Sequence, residues 1–428
     1  MRGVYVLLLI SLFGYAGRVG GQESVTITQC YEWARANYPQ IHQMGLIDQT
    51  ERYSLSNVGK AWLPQLSVSG KASYQSDVTK LPLDGDKISS LLPGFEIPSL
   101  SKDQYQVVAQ VDQTIWDGGS TRSARALTRA EAIANREQLE SELYALNDRV
   151  NQIYFGCLLQ DELIRQNALL QKELQVNIER IEAMMENGVA NQSDLESMEV
   201  ELLNARQNEI ELKASRTVYR QMLATFINKP LTDQVVLKTP ESPERSLSTQ
   251  INRPELRALD AKSEWIETQN KQVTAGLMPR IGAFVQGGYG RPGLNMLEDS
   301  FEPYYVAGVR LSWNLGKLYT LKNDRRKIEV SRRQIDVQRE TFLFNTRLQL
   351  LQQNTEIKKM TDLMRADDDI IRLRTSIKQA AEVKLENGVI SVTDLIREIN
   401  AEDMARQTAA AHRVQRLMTI YNYMYTTN

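Results

Sequence analysis

The sequence predicts an α+β membrane protein made of two tandem structural repeats. Three observations predict it. The segment Glu186-Asn-Gly-Val-Ala-Asn-Gln-Ser-Asp194-Leu195 recurs as Glu386-Asn-Gly-Val-Ile-Ser-Val-Thr-Asp394-Leu395, 200 residues later with six of ten positions identical. Four segments alternate apolar and polar residues with a period of two, as strands with one wet and one dry face do. Helical patterns with coiled-coil seams run far beyond the three turns of an average helix.

An offset this long exceeds any solenoid period, so it reads as duplication of a whole unit. Other landmarks keep the same order in both halves. Asn37-Tyr-Pro39 matches Asn252-Arg-Pro254, Trp62-Leu-Pro64 matches Leu277-Met-Pro279, and Trp116-Asp-Gly118 matches Trp313-Asn-Leu-Gly316. The expected organisation is a signal peptide over 1–21, a first repeat over 22–235, a linker over 236–250 and a second repeat over 251–428.

The elements follow in order. Arg2, the apolar run Val4 to Phe13 and small residues up to Gly21 make a signal peptide. A helical pattern spans about 28–60, interrupted at Pro39. Leu66, Val68, Gly70, Ala72 and Tyr74 alternate with Ser67, Ser69, Lys71, Ser73 and Gln75, giving a strand over about 64–76. Residues 77–102 read as loop, with Pro82, Asp84-Gly85, Pro93-Gly94 and Pro98. A second strand spans about 103–117. Tyr105, Val107, Ala109, Val111 and Ile115 face one way; Gln106, Gln110, Asp112 and Thr114 face the other. A helix without proline then runs from about Thr121 to Glu186, roughly 100 Å at 1.5 Å per residue. A tip turn over 187–192 leads to a return helix ending near Ile227. The second repeat offers a helix over about 253–276, strands over about 279–290 and 303–315, a very long helix to Glu386, a tip turn over 387–391 and a last helix to about Tyr425.

Bulk properties exclude several classes. The formal net charge of −2 argues for no nucleic-acid partner. After the N-terminus no run of 18 apolar residues suggests a membrane-crossing helix, which leaves a β-barrel open. Two cysteines, Cys30 and Cys157, make no disulfide framework and are expected as buried free thiols. The two histidines, His42 and His412, lie far apart, and no metalloprotease, nucleophile-elbow or phosphate-loop motif occurs. No enzyme activity, metal or cofactor is expected.

Strand number decides the assembly. Four strands per chain cannot close a barrel, whose smallest ordinary form has about eight. Left open, such a sheet exposes an apolar face and two edges. Two copies would give eight strands and a filled interior; three give a twelve-stranded barrel with a lumen. Polar Lys71, Asp112 and Arg310 suit a water-filled lumen, and Tyr74, Tyr105, Tyr289 and Trp313 suit the lipid interface. A soluble β-sandwich with coiled-coil arms is the alternative on the strands alone, and an exported scaffold or adhesin with a small β-head is the alternative function.

These residues resemble the TolC-type outer-membrane efflux protein family. The repeated Asn-Gly-Val turn with Asp-Leu downstream is among its more specific marks, and the match spans nearly the whole mature chain. The resemblance implies a homotrimer with a twelve-stranded barrel continuous with a long periplasmic α-helical coiled-coil tunnel, in the outer membrane of a Gram-negative bacterium. It implies a passive exit duct of a tripartite efflux pump or type I secretion system, contacting a periplasmic adaptor directly and an inner-membrane pump indirectly. By the same resemblance Asn187, Gly188, Val189, Asn387, Gly388 and Val389 are candidate adaptor contacts. Asp394 matches a gate carboxylate; Arg397 stands where some members carry a second acid. The pair reads as an Asp–Arg gate or as a cap with a solvated neighbour. The turns themselves fit a glycine cap followed by Ser193 or Thr393 capping the next helix.

Overall fold

The computed structural model describes residues 24–79, 100–242, 248–296 and 298–428. The expected signal peptide lies outside the described residues, as do the loop prolines Pro82, Pro93 and Pro98, the Asp84-Gly85 turn and Pro243 of the linker. In chain order the described elements are β1 (Ser24–Val25), α1 (Ile27–Asn37), α2 (Gln43–Gly59), β2 (Gln65–Tyr74), β3 (Asp103–Trp116), α3 (Ser120–Tyr144), α4 (Leu146–Glu186) and α5 (Gln192–Ile227). There follow β4 (Val236–Leu237), α6 (Pro254–Ala275), β5 (Arg280–Arg291), β6 (Glu302–Ser312), α7 (Lys317–Glu386) and α8 (Val392–Thr427). No described helix is long and apolar enough to cross a membrane.

Compactness and repetition divide the chain differently. One compact unit comprises 42–140 and 254–342 and holds the large sheet; the other comprises 1–41, 141–253 and 343–428 and is mainly helical. Each unit draws on both repeats.

In the sheet unit the strand order is β2-β3-β5-β6, all antiparallel. Pro64 and Pro279 stand immediately before β2 and β5, where a fixed φ and a missing N–H end a helix without harming a ladder. Asp117 closes β3 and caps α3: its carboxylate accepts from the N–H groups of Gly119 at 2.9 Å and Thr121 at 2.6 Å. Gly118 has φ +67° and a Cβ there would lie 2.5 Å from Met278 Cβ. Both backbone freedom and lack of bulk are therefore needed. Gly316, its sequence counterpart, has no such φ, so the two return turns are built differently.

Register fixes the faces. Leu66 pairs with Val111, Val111 with Val285, and Val285 with Ala307, so an apolar row crosses all four strands. Leu66, Val107, Val285, Tyr305 and Val309 remain 56–79 % exposed. The opposite face carries Lys71, Gln106, Gln110, Asp112 and Arg310. A bulge between Thr114 and Trp116 corrects one expectation. Ile115 is the extra residue, and Trp116 takes its place across from Ile281. The fourth strand also stops short: β6 ends at Ser312, and the Trp313 indole N–H donates to the Leu277 carbonyl at 2.9 Å.

In the helical unit, β1 and β4 form a two-stranded parallel sheet, joining the start of the first repeat to the beginning of the linker. Thr26 opens α1 with a capping box to Gln29. Tyr38 is extended before Pro39, as the residue preceding a proline is. Cys30, Ala34, Val150, Phe155, Cys157 and Leu223 form a core beneath β1 and β4. The Tyr154 hydroxyl lies 2.9 Å from the Val25 carbonyl and 2.7 Å from that of Lys238, tying that sheet to α4. Both cysteines are free and buried, and burial pushes each thiol up to about 12. The helix expected to run unbroken from Thr121 to Glu186 is interrupted at Ala145, where the backbone stays right-handed and the Ala145 N–H reaches Ser141 at 3.3 Å. By contrast, α7 runs 70 residues without a break.

Candidate functional site

Both hairpin turns lie in the helical unit and share one backbone. In the first, Gly188 (φ +74°) donates to the Met185 carbonyl at 2.9 Å and Val189 to that of Met184 at 2.9 Å. In the second, Gly388 (φ +69°) donates to Leu385 at 2.9 Å and Val389 to Lys384 at 2.8 Å. This pair of bonds is the Schellman closure, in which a left-handed residue folds the chain back over the last free carbonyls. Asn187 and Asn387 add side-chain bonds of 2.7 Å to the carbonyls of Ala183 and Val383. A Cβ on either glycine would meet nothing within 4 Å, so conformation alone demands glycine here. Val189 and Val389 project from the turns, 59 % and 69 % exposed.

The caps that follow lie two residues earlier than Ser193 and Thr393. Asn191 and Ser391 are the extended residues, and each accepts from the N–H three positions on, at 3.1 Å and 3.2 Å. Asp194 and Asp394 complete two capping boxes by accepting from the N–H of Asn191 and Ser391. Ser193 and Thr393 already lie within the first helical turn, past the point where a side chain reaches that N–H.

Around Asp394 the charges continue. The Ser391 hydroxyl donates to it at 2.8 Å and the Arg397 guanidinium lies 3.2 Å away. The Ser391 bonds, with Arg397 adding to them, hold its carboxyl below the usual carboxylate range. Arg397 also lies 3.6 Å from Glu398, which pairs with Arg374 at 3.4 Å.

A buried charged cluster two turns farther along α8 was not singled out in the sequence. Lys378 lies 2.6 Å from Glu402 and also pairs with Glu173 of α4. Glu402, 3 % exposed at its side chain, further accepts from Thr375 and Arg406, each at 2.5 Å. Burial raises the Glu402 carboxyl, but its bonds to Lys378, Thr375 and Arg406 outweigh that and lower it. Its neighbour Asp403 goes the other way. Burial, with Glu173 and Glu402 nearby, pushes Asp403 up to about 6 despite a bond from Gln407. Only the spatial meeting of α4, α7 and α8 makes this cluster, and no local spacing signals it.

The turns themselves pack together through Ile181, Met198 and Leu202 of the first repeat against Leu385, Leu395 and Ile399 of the second. Arg180 reaches Glu386 at 3.7 Å and Asn400 reaches Glu201 at 3.4 Å.

On the sheet, Arg310 lies 3.8 Å from Asp112 and stacks 4.8 Å over the Phe284 ring. Gln110 donates to both Asp112 oxygens, at 2.9 Å and 2.7 Å. Lys71 shares this face but pairs with Gln106, six residues along β3 from Asp112, or about 20 Å away. The structure thus joins two of the three expected lumen residues and leaves the third apart. Among the described residues no cluster of three or more metal-ligating side chains occurs.

Comparison with known proteins agrees with this architecture. The family model described as outer membrane efflux protein matches residues 30–229, the first repeat. Among solved structures, the chain is similar to CusC (TM-score 0.66, 14 % identity, 94 % of this chain and 92 % of that one). It is equally similar to the outer-membrane channel OprN (0.66, 14 %, 94 % and 89 %) and close to VceC from Vibrio cholerae (0.62, 12 %, 93 % and 95 %). No curated protein sequence matches the chain. Residues 30–229 are therefore similar in sequence to the outer membrane efflux proteins, and the chain shares the fold of outer-membrane channels such as OprN across nearly its whole length. That family consists of export channels and not of enzymes.

Proposed function

We propose that this chain is the outer-membrane exit duct of an efflux pump or type I secretion system, working as a homotrimer. The observation that carries the reading is the open sheet. β2 and β6 each have one unpaired edge, and most of the apolar face is exposed, with the Phe301 ring packing only against Tyr105 and Tyr289 at one end. Three copies supply twelve strands, remove every edge, turn the apolar face to lipid and enclose the Asp112 and Arg310 face around water. A second feature supports pooling. On α7, Val330, Val337, Phe344 and Leu351 stand seven apart and exposed, and Leu363, Ile370 and Ile377 repeat the spacing. A seven-residue apolar repeat is the seam a neighbouring helix packs into.

The duct performs no chemistry. Asn187, Gly188, Val189 and Asn387, Gly388, Val389 offer two small apolar knobs to the hairpin of a periplasmic adaptor, and an inner-membrane pump supplies the energy through that adaptor. Asp394 and Arg397 are the candidate gate pair, and cation passage is governed there by their charges. The decisive test combines electrophoresis and planar-bilayer conductance. A heat-modifiable trimer that passes ions is expected, and Val189→Asp with Val389→Asp should abolish adaptor co-purification while trimer and conductance persist. A monomer that stays dissolved without detergent would end the reading.

A further inference from the structure

A cavity of about 650 Å³ opens within the helical unit, between α4, α5, β4 and α8 and away from both turns. Its wall is of two kinds. Leu158, Leu237, Ala410 and Leu417 supply an apolar lining. Five guanidiniums, those of Arg165, Arg216, Arg220, Arg413 and Arg416, share it with only three carboxylates, Asp161, Glu162 and Asp233. The lining thus keeps two positive charges in excess.

The three carboxylates are already engaged. Arg216 lies 2.5 Å from Asp161 and 3.0 Å from Asp233, and Arg165 lies 2.5 Å from Glu162. Arg220 is 5 % exposed, and its terminal nitrogens donate to the carbonyls of Thr232 at 2.8 Å and Val235 at 2.6 Å. Its Nε is buried with no hydrogen-bond partner. Its nearest carboxylate, Asp233 at 3.9 Å, is 87 % exposed. Arg413 and Arg416 each touch one neutral oxygen, the Ala409 carbonyl at 3.4 Å and the Thr361 hydroxyl at 3.0 Å. Among the described residues neither has a carboxylate within ion-pair distance.

A buried guanidinium held mainly by carbonyl dipoles, with its one carboxylate distant and solvent-exposed, carries a desolvation cost that is only partly offset. An anion delivered to it removes that cost. Planar guanidinium forks match carboxylates in particular, and cavities of a few hundred Å³ with apolar walls and few charged anchors hold small amphiphiles.

We propose that this cavity binds a medium-chain organic carboxylate, its apolar body along Leu158 and Leu417 and its head group between Arg413 and Arg416, facing Arg220. The site is separate from the duct reading, because it belongs to one chain and uses none of the turn or strand residues. The test is photoaffinity labelling of the purified full-length chain in phosphatidylcholine nanodiscs. The probes are a diazirine-bearing dodecanoic acid and the matching dodecanol. The acid should label peptides spanning 158–165 and 410–417 saturably, excess decanoate should displace it, and the alcohol should label about tenfold less. Arg413→Ala with Arg416→Ala should cut labelling by the acid about tenfold, while circular dichroism stays unchanged. Equal labelling by acid and alcohol on the native chain would reduce the cavity to a greasy crevice and overturn the proposal. So would unsaturable labelling, or labelling indifferent to the double substitution in a folded protein.

Discussion

At the offset of 200 residues that aligns the two hairpins, Ile178 stands against Lys378, Met198 against Glu398 and Leu202 against Glu402. Ile178, Met198 and Leu202 lie in the apolar core that joins the hairpins. Lys378 and Glu402 lie in the buried charged cluster beside it. The turns share the same closing bonds and capping boxes, yet the seams behind them rest on different physics. An apolar seam tolerates sliding and gives mostly area-dependent stability. A charged seam contributes little net stability, because desolvation offsets attraction, but it penalises any arrangement that leaves one partner alone. The second hairpin is therefore the one whose position is sharply defined, and it is also the hairpin that carries Asp394 and Arg397.

The largest effect should come from converting one seam partway into the other. Lys378→Ile alone leaves Glu402 buried beside too few donors and should cost about 3–5 kcal/mol. Adding Glu402→Leu restores the residue types of the first hairpin and should recover most of that loss. Urea unfolding of both single variants and the double variant makes the cycle. Simple additivity would mean that the two side chains do not act as a pair.

A smaller effect concerns pH. Asp403 holds its proton more tightly folded than unfolded, so between the usual carboxylate range and about 6 stability should fall as pH rises. Above that window the charged form is disfavoured in the fold. Asp403→Asn should then stabilise the chain at pH 7 by roughly 1–2 kcal/mol after allowing for solvent screening, and it should remove the slope. Leu203, the first-hairpin counterpart, predicts no such slope there. Melting temperatures across pH 4–7 would show a flat profile in the native chain if Asp403 is fully solvated.

The smallest effect should be the same in both hairpins. Gly188→Ala and Gly388→Ala each place a Cβ in open space at positive φ, costing about 1 kcal/mol through backbone strain alone. Matching losses by thermal melting would confirm that the turns are equivalent. A markedly larger loss at Gly388 would show that the charged seam transmits strain from the turn.

Much of this was legible in the residues. The duplicated turn announced itself through glycine, because only glycine adopts φ near +70° without penalty. The strands announced themselves through alternation, and register then confirmed the faces from Leu66 across to Ala307. The caps were misplaced by two residues, since Ser193 and Thr393 have the right chemistry and only the backbone torsions of Asn191 and Ser391 decide which residue is extended. The Ile115 bulge was equally invisible, because an extra residue leaves the composition of an alternating strand unchanged.

Local rules of the chain, the handedness preference of each residue and the period of its apolar positions, determined the repeats, the strands, the long helices and the two glycine turns. Tertiary structure alone decided that Glu173, Lys378 and Glu402 meet, that Asp112 finds Arg310 while Lys71 does not, and that five arginines surround one cavity. Those meetings join residues up to 251 positions apart (Arg165 and Arg416), and a charge has no periodic signature by which the sequence could reveal its distant partner.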